Sequence, residues 1–281
     1  MATLTKDEIA EKLVGQITQL PPMPANVLKL REQARDPNAN YNTLAPLIKQ
    51  DPSITADVLR LANSAQFGVG HKVETIDEAI RYFGINPLIN FISAACSDKI
   101  VKQVFTSITN LNTYLTHSLE ISLATSVVSK MMRMNSHQRD VIAITGLLHD
   151  IGRLVILLVT NKKNYNKEIL GVSWEEVQDY VKDEKELYGL DHAELGGMIS
   201  KKWDFPDTMT EAIARHHSPI VKGKTSFGGL VLFISEVIAI DNLPDNVLEK
   251  ALPTDILEKY QLVGEDLVKA REAFQKLREE S

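Results

Sequence analysis

The residues of this sequence that could do chemistry are histidines and carboxylates that interrupt apolar helical stretches in its second half. Seven side chains could bind a metal ion, namely His117, His149, Asp150, His192, His216, His217 and Glu236. A buried polar group without a partner costs roughly 1 to 3 kcal/mol, so such groups rarely face a core singly. Because these residues lie on separate predicted helices and all face inward, we expect them to meet in one pocket.

The ligand types limit the choice of metal. Imidazole and carboxylate ligands without sulfur favour Fe, Mn, Zn or Ni over a thiolate zinc site. We therefore predict a divalent transition metal as cofactor, as one or two ions. Seven ligands exceed what one ion needs, so a two-metal arrangement bridged by Asp150 is chemically sensible. The single cysteine, Cys96, lies in an apolar run and is predicted to be a small buried side chain.

His117 and Asp150 also have an ordinary structural interpretation. His117 lies on the inward stripe of a predicted helix, Tyr114–Met134, where it could be a core histidine with a hydrogen-bonding partner. Asp150 could pair with Arg153, one turn further along the predicted helix Val141–Val159. Both readings stay open beside the metal hypothesis.

The later histidines sit at helix ends. His192 opens the predicted helix Asp191–Trp203 on its apolar face. His216 and His217 close the predicted helix Asp207–His217, where protonated imidazoles could complement the helix dipole. That alternative accounts for one histidine better than for two.

Glu236 interrupts a run, Leu230–Ile240, that is apolar on all sides except at Ser235 and Glu236 itself. Leu232 and Ile240, one turn to either side, indicate that Glu236 points into the core. A buried carboxyl group must find a cation or take up a proton. No Lys or Arg lies near it in sequence.

Two glycines flank the His149-Asp150 pair. Gly146 and Gly152 both lower helix propensity in a segment that is otherwise strongly helical. We expect them to permit the close approach of a neighbouring helix or of a ligand.

The remaining patterns predict an all-α protein. Capping boxes are predicted where a hydroxyl or carboxylate precedes a glutamate by three residues, at Thr5–Glu8, Thr75–Glu78 and Asp191–Glu194. Gly84 is predicted to end the segment Thr75–Phe83, and prolines start helices at Asp51-Pro52 and Asn86-Pro87. No alternating run predicts a strand.

Composition excludes some classes of function. The chain has 281 residues, a net charge of -6 and no basic block, so nucleic-acid binding is not expected. The N-terminus is not a signal peptide. The most apolar segment, Val141–Val159, carries His149, Asp150 and Arg153 at its centre and is a poor membrane span. We expect a cytoplasmic protein without a membrane partner.

Several segments together resemble the HDOD domain, an HD-related output domain of bacterial signalling proteins. The segments that carry the resemblance are Leu20–Pro24, Ile48–Thr55, Leu59–Ala65, Ile76–Ile80 and Trp203–Pro206. The resemblance implies an N-terminal helical bundle packed on an HD-like helical bundle. It divides the chain into residues 1–108, an HD-like part at 109–243 with the metal site, and a helical tail at 244–281.

The seven candidate ligands also resemble the metal-binding pattern of HD-superfamily phosphohydrolases. Glu236 falls where those enzymes have Asp, and Arg153 falls where they have a phosphate-contacting Lys. The Gly-Tyr-Pro element of the cyclic-dinucleotide hydrolases is missing, since the chain reads Ser218-Pro219-Ile220 there. The resemblance thus argues against cyclic-dinucleotide hydrolysis.

Two functions follow from the resemblance. The first is an HDOD-type signal-transduction protein that acts by binding a signalling partner, with the ligand set kept as a structural site. The second is a metal-dependent phosphohydrolase acting on a nucleotide or another small phosphorylated ligand. In that case Asp150 would bridge two ions and Arg153 would hold phosphoryl oxygens, which makes these two the catalytic candidates.

Overall fold

The computed structural model describes residues 5–34, 36, 40–50, 52–63, 72–105, 111–160 and 174–280. The all-α prediction is confirmed, since two strands of two residues each are the only strands in that part of the chain. In chain order the helices are α1 Lys6–Gln19, α2 Ala25–Ala34, α3 Tyr41–Lys49, α4 Pro52–Ala62, α5 Ile76–Phe83, α6 Ile85–Val104, α7 Leu111–Met131, α8 Ser136–Leu148, α9 Ile151–Thr160, α10 Trp174–Tyr188, α11 His192–Lys202, α12 Asp207–Arg215, α13 Phe227–Ala239, α14 Asp245–Leu248, α15 Thr254–Tyr260 and α16 Gly264–Glu279. The strands β1 Ile220–Val221 and β2 Lys224–Thr225 pair in an antiparallel hairpin between α12 and α13.

The predicted helix starts and stops are largely confirmed. The capping boxes at α1, α5 and α11 are all formed. The side chains of Thr5, Thr75 and Asp191 each accept a hydrogen bond from the backbone amide of the residue three positions later. Gly84 separates α5 from α6 with a φ of 82°, a conformation that few residues other than glycine adopt. α4 begins at Pro52, while Asp51 lies outside the described residues.

Two apolar cores hold the molecule together. The first joins α1 to α6 with α8, α9, α11 and α12, and the second joins α7, α13 and the C-terminal helices, burying Phe274 of α16. The N-terminal helices lie directly on the later ones: Trp203 donates its indole N–H to the carbonyl of Pro21 at 3.0 Å, and Arg31 donates to the carbonyl of Trp203 at 2.6 Å. An N-terminal bundle packed on an HD-like bundle is therefore observed. The predicted boundaries at residues 108 and 243 stay predictions.

Glycine brings two helices of the later bundle into backbone contact. A Cβ atom on Gly152 of α9 would lie 2.0 Å from the carbonyl oxygen of His192 on α11. A Cβ on Gly196 of α11 would in turn lie 2.8 Å from Ile213 of α12. A Cβ on Gly146 of α8 would lie 3.0 Å from the backbone of Ser122 on α7. The predicted close approaches at Gly146 and Gly152 are thus observed.

The prediction of one continuous helix over Val141–Val159 is wrong. α8 ends at Leu148 and α9 begins at Ile151, so His149 and Asp150 form a turn between them. The His149 ring binds the carbonyl of Gly146 at 2.7 Å, which is the acceptor that an uninterrupted helix offers to the amide of Asp150. The competing side chain gives a physical reason for the break.

The same segment also bears on membrane insertion. Among the described residues, Ser136–Thr160 is the one stretch long and apolar enough to cross a membrane by composition. Of its most apolar window, 83% is buried inside the protein. Such burial is typical of a core segment.

Candidate metal centre

Helix ends position most of the candidate ligands. His149 and Asp150 form the turn between α8 and α9, and His192 is the first residue of α11. His216 and His217 follow α12 directly, because that helix ends at Arg215 rather than at the predicted His217; the predicted helix over Tyr114–Met134 is observed as α7, Leu111–Met131. His117 and Glu236 are the two that lie within helices, on α7 and α13.

All seven side chains converge. They form two groups of four, and in each group one ligand atom per residue lies within 4.8 Å of the others. One group is Asp150, His192, His216 and His217, and the other is His117, His149, Asp150 and Glu236. Asp150 belongs to both groups, as expected for a bridging carboxylate.

The two carboxylate oxygens of Asp150 face different histidines. Oδ2 lies 3.4 Å from Nε2 of His117 and 3.5 Å from Nε2 of His149. Oδ1 lies 3.2 Å from Nε2 of His192 and 3.6 Å from Nε2 of His216. Each oxygen is thus oriented toward one group of ligands.

Glu236 is a second link between the groups. Its Oε1 lies 3.2 Å from Nε2 of His149, and its Oε2 lies 3.5 Å from Nδ1 of His217. The buried carboxylate therefore meets imidazoles from two helix ends, although no Lys or Arg lies near it in sequence.

Two of the histidines are oriented in the same way. Nδ1 of His149 donates to the carbonyl of Gly146 at 2.7 Å, and Nδ1 of His216 donates to the carbonyl of Ile213 at 2.6 Å. A carbonyl can only accept, so Nδ1 of each ring carries a proton and Nε2 is the atom available to bind a metal ion. In each case the next residue along the chain, Asp150 or His217, is another candidate ligand.

Glu184 is a functional candidate that the sequence analysis missed. This α10 residue is buried, and its Oε2 accepts from Nδ1 of His192 at 2.6 Å and from the His192 amide at 2.8 Å. A carboxylate behind a histidine fixes the tautomer and makes Nε2 a better ligand. The available signal was its position one turn before Tyr188, which is also buried.

The donor atoms fit a bound cation. Nε2 of His149, Oδ1 of Asp150, Nε2 of His216 and Nδ1 of His217 have no hydrogen-bonding partner, and Oδ2 of Asp150 is held by its ion pair with Arg153. Native proteins seldom leave such atoms unsatisfied, because each costs roughly 1 to 3 kcal/mol. A divalent ion would satisfy several of them at once, so this buried His/Asp cluster is able to hold a metal.

The charges in the cluster favour the ionised forms of Asp150 and Glu236, which are the forms that bind a metal ion. Burial would raise the pKa of Asp150, but Arg153 and the nearby histidines hold it well below its usual range. Burial opposes ionisation of Glu236 as well, and the neighbouring histidines again hold its pKa low. Both side chains are therefore carboxylates at neutral pH.

The pKa values of His217 and His192 are shifted in opposite directions. Burial lowers the pKa of His217 well below its usual value, so this ring is neutral. Burial and Arg153 also act to lower the pKa of His192, yet the carboxylates of Glu184 and Asp150 outweigh them and raise it to about 9. A proton and a metal ion compete for Nε2 of His192.

Arg153 pairs with Asp150, as the alternative reading predicted. Its Nε lies 2.7 Å from Oδ2 of Asp150, and the side chain is buried. The pairing and the ligand cluster coexist, so the two readings of Asp150 do not exclude each other. A role for Arg153 in contacting phosphate stays a prediction.

Comparison with known proteins places these features in a family. The family model of the HDOD domain matches residues 20–219. An uncharacterised protein of Treponema pallidum (strain Nichols) is 22% identical over 216 residues, which are 75% of this chain but 40% of that protein. The chain thus spans less than half the length of that relative.

Solved structures share the fold. A candidate phosphohydrolase from Shewanella amazonensis has a TM-score of 0.66 at 24% identity, with 95% of this chain and 94% of that chain covered. An HDOD domain protein of unknown function from Geobacter sulfurreducens has a TM-score of 0.64 at 20% identity, with 96% and 97% covered. A candidate metal-dependent phosphohydrolase, also from Shewanella amazonensis, has a TM-score of 0.63 at 19% identity, with 97% and 98% covered.

Proposed function

The chain belongs to the HDOD domain family, and on that premise we propose that it is a regulatory protein in which a buried metal ion holds the helices of the HD-like bundle in place. The observation that carries the proposal is the closure of the ligand cluster. His149, Asp150, His192 and His216 are completely buried. The most exposed ligand side chains, His117 and Glu236, are only 15% and 12% accessible.

Closure favours a structural ion over a catalytic one. Hydrolysis requires an open coordination position and room for a phosphoryl group beside it. The seven ligands leave little of either, and Arg153 is engaged with Asp150. A cavity of 520 Å³ lies between α4, α6, α7 and α8, and none of the seven ligands lines it.

The ion itself is proposed as Fe, Mn, Zn or Ni, because imidazole and carboxylate ligands suit these metals. His192, His216, His217 and Asp150 would hold one ion, and His117, His149 and Glu236 would complete a second position with Asp150. When bound, the cation supplies positive charge that the ionised Asp150 and Glu236 neutralise. The ligands would tie the turn after α8 and the end of α12 to α7, α11 and α13.

A signalling protein in the cytoplasm is the proposed partner, and the N-terminal helices are its proposed contact surface. Large apolar side chains are exposed there, with Tyr82 51%, Val14 42%, Leu28 38% and Tyr41 38% accessible. Exposed apolar and aromatic groups are typical of sites where proteins meet.

Metal analysis together with an activity screen tests the proposal. Protein purified without added metal should contain a transition metal in stoichiometric amount and should turn over neither phosphomonoesters nor phosphodiesters. The variant Asp150→Ala should lose the metal. Steady phosphate-ester turnover that Asp150→Ala abolishes would contradict a purely regulatory role.

A metal-dependent phosphohydrolase is the second candidate. The specific observation in its favour is that the two oxygens of Asp150 face separate ligand groups. This arrangement suits two ions that share a bridging carboxylate. Arg153 would then orient a phosphoryl group with its guanidinium. The same substrate screen, carried out on protein reconstituted with Mn²⁺, decides between the two functions.

A further inference from the structure

A cavity of about 520 Å³ lies where α4, α6, α7 and α8 meet. This volume is within the range of roughly 300 to 1,000 Å³ that is typical of small-molecule sites. None of the seven candidate metal ligands lines it. The cavity is therefore distinct from the metal centre.

The walls of the cavity are mainly apolar. Leu115 and Leu119 of α7 face it together with Leu147 and Leu148 of α8. Leu119 is 50% exposed, which places it at the opening. An apolar body could enter past Leu119 and replace water along these leucines, which stabilises binding by about 25 cal/mol per Å² of apolar surface buried.

Charged residues line another side of the cavity. Arg60 and Lys99 both pair with the buried Asp57, one at each carboxylate oxygen, and Lys102 also lines the cavity. Three cations and one carboxylate give the lining a net formal charge of +2. Because both oxygens of Asp57 already face cations, this side of the cavity suits an anionic ligand better than a cationic one.

One buried hydroxyl in the wall lacks a hydrogen-bonding partner. Ser118 of α7 is 3% exposed and lines the cavity, and its Oγ has no such partner. A buried hydroxyl is usually hydrogen-bonded, so its position suggests that a ligand supplies the missing group.

We infer that this cavity is a binding site for a small amphipathic anion. Its single apolar chain would lie along the leucines of α7 and α8, and its carboxylate or phosphate ester would lie beside Arg60, Lys99 and Lys102, with Ser118 available for a hydrogen bond.

The cavity and the metal centre share two helices. On α7, Ser118 of the cavity follows His117 of the ligand set, and at the end of α8, Leu148 of the cavity precedes His149. An occupant that shifts α7 or the end of α8 also shifts a candidate ligand, so the two affinities are linked reciprocally. This linkage rests on the proposed metal centre, whereas binding in the cavity does not.

Calorimetric titration of the full chain with laurate and with dodecyl phosphate, both below their micelle concentrations, tests the site. Dodecanol tests the need for charge, and inorganic phosphate tests the need for the chain. We expect at least one amphipathic anion to bind about tenfold more tightly than dodecanol or phosphate, a difference of about 1.4 kcal/mol. The stronger of the two anions identifies the head group as carboxylate or phosphate ester.

Variants locate the binding. Leu119→Trp should obstruct the opening and weaken binding at least tenfold, while Leu187→Trp, at a leucine of similar exposure on α10, should leave it unchanged. The double change Lys99→Ala and Lys102→Ala should weaken anion binding about fivefold or more, and Lys130→Ala on the exposed end of α7 should not. Circular dichroism checks that each variant is folded.

The inference is overturned if neither anion binds, if dodecanol binds as tightly as the anions, or if folded Leu119→Trp protein binds as well as Leu187→Trp protein. For the linkage, saturating laurate or dodecyl phosphate should change the Mn²⁺ affinity by at least threefold, and an unchanged affinity contradicts it. Protein that binds the anion but no Mn²⁺ would contradict the metal centre and leave the cavity assignment intact.

Discussion

The metal centre and the cavity share the helices α7 and α8 but differ in how far their charged side chains are exposed to solvent. In the metal centre, ionised carboxylates and imidazoles face one another with little access to water, and several lone pairs lack a hydrogen-bonding partner. In the cavity, leucines form the walls, and Arg60 and Lys99 are 74% and 43% exposed. The two regions therefore differ both in residue type and in how far their charged groups are buried.

The difference shows which charges the fold depends on. An exposed ion pair contributes about 0 to 1 kcal/mol, whereas removal of one partner from a buried pair costs about 3 to 5 kcal/mol. Substitutions in the metal centre should therefore affect stability and metal binding together. Substitution of Lys99 or Lys102 at the cavity should affect ligand binding and change stability less, because Arg60 still pairs with the buried Asp57.

Asp150→Ala should give the largest effect. It removes the carboxylate that both ligand groups share and that pairs with the buried Arg153. We expect a loss of about 3 to 5 kcal/mol in the free energy of unfolding even in excess EDTA, and a larger loss when Mn²⁺ is present. Urea unfolding followed by circular dichroism measures it. The exposed Asp183→Ala is the control, and equal losses in the two variants would refute the comparison.

Gly152→Ala should come next, because it separates the helices without changing the side chain of a ligand. Its Cβ would lie 2.0 Å from the carbonyl of His192, and backbone cannot move aside as a flexible side chain can. We expect a destabilisation of about 1 to 3 kcal/mol and weaker metal binding. Gly15→Ala on α1, where nothing lies within 4 Å, should instead raise stability by up to about 1 kcal/mol. Similar melting temperatures for the two variants would contradict the close approach.

Glu184→Gln should weaken metal binding with less effect on folding. The amide oxygen can still accept from Nδ1 of His192, but the negative charge behind the ring is lost. Changes of this kind reduce metal affinity about 10- to 100-fold. Competition with a fluorescent Zn²⁺ chelator measures the affinity. The exposed Glu186→Gln should bind as the unmodified protein does, and an unaltered affinity in Glu184→Gln would remove Glu184 from the site.

Asp140→Asn should have the smallest effect. It measures what the burial of one carboxylate costs in stability outside the metal centre and the cavity. Burial raises the pKa of Asp140 on α8 from 3.8 to about 6, with Arg139 acting weakly against the shift. Protonated Asp140 is the form that the fold tolerates, so its contribution to stability is present below about pH 4 and is lost as the pH rises through about 6. At about pH 8 the variant should be more stable by about 1 kcal/mol after allowance for solvent screening, and at about pH 4 the difference should vanish. Urea unfolding at both pH values measures this, and no gain at the higher pH would refute it.

Hydrophobic patterning was sufficient to predict that the ligands would meet. Glu236 could be placed inside because Leu232 and Ile240, one turn to either side, are apolar, and His192 because it shares a face with buried residues. Capping boxes were equally predictable, because the hydroxyl and the carboxylate that satisfy the helix amides lie three residues apart.

The remaining features depend on contacts that periodicity does not encode. The turn at His149-Asp150 arises where a side chain takes a backbone acceptor, which an apolar pattern cannot reveal. Glu184 lies in a charged stretch, and only the tertiary fold brings it to His192. The cavity likewise requires α4 and α6 to stand beside α7 and α8, so its lining is scattered from residue 57 to residue 148.

His149 and His216 each bind a carbonyl through Nδ1, and this shared arrangement affects how the protein takes up metal. Each ring is anchored to a carbonyl three residues earlier, in the helix that ends just before it, so its rotamer is fixed by a local contact. Little side-chain entropy then remains to be lost when an ion enters. Apoprotein should accept metal rapidly after folding is complete, without a slow rearrangement step.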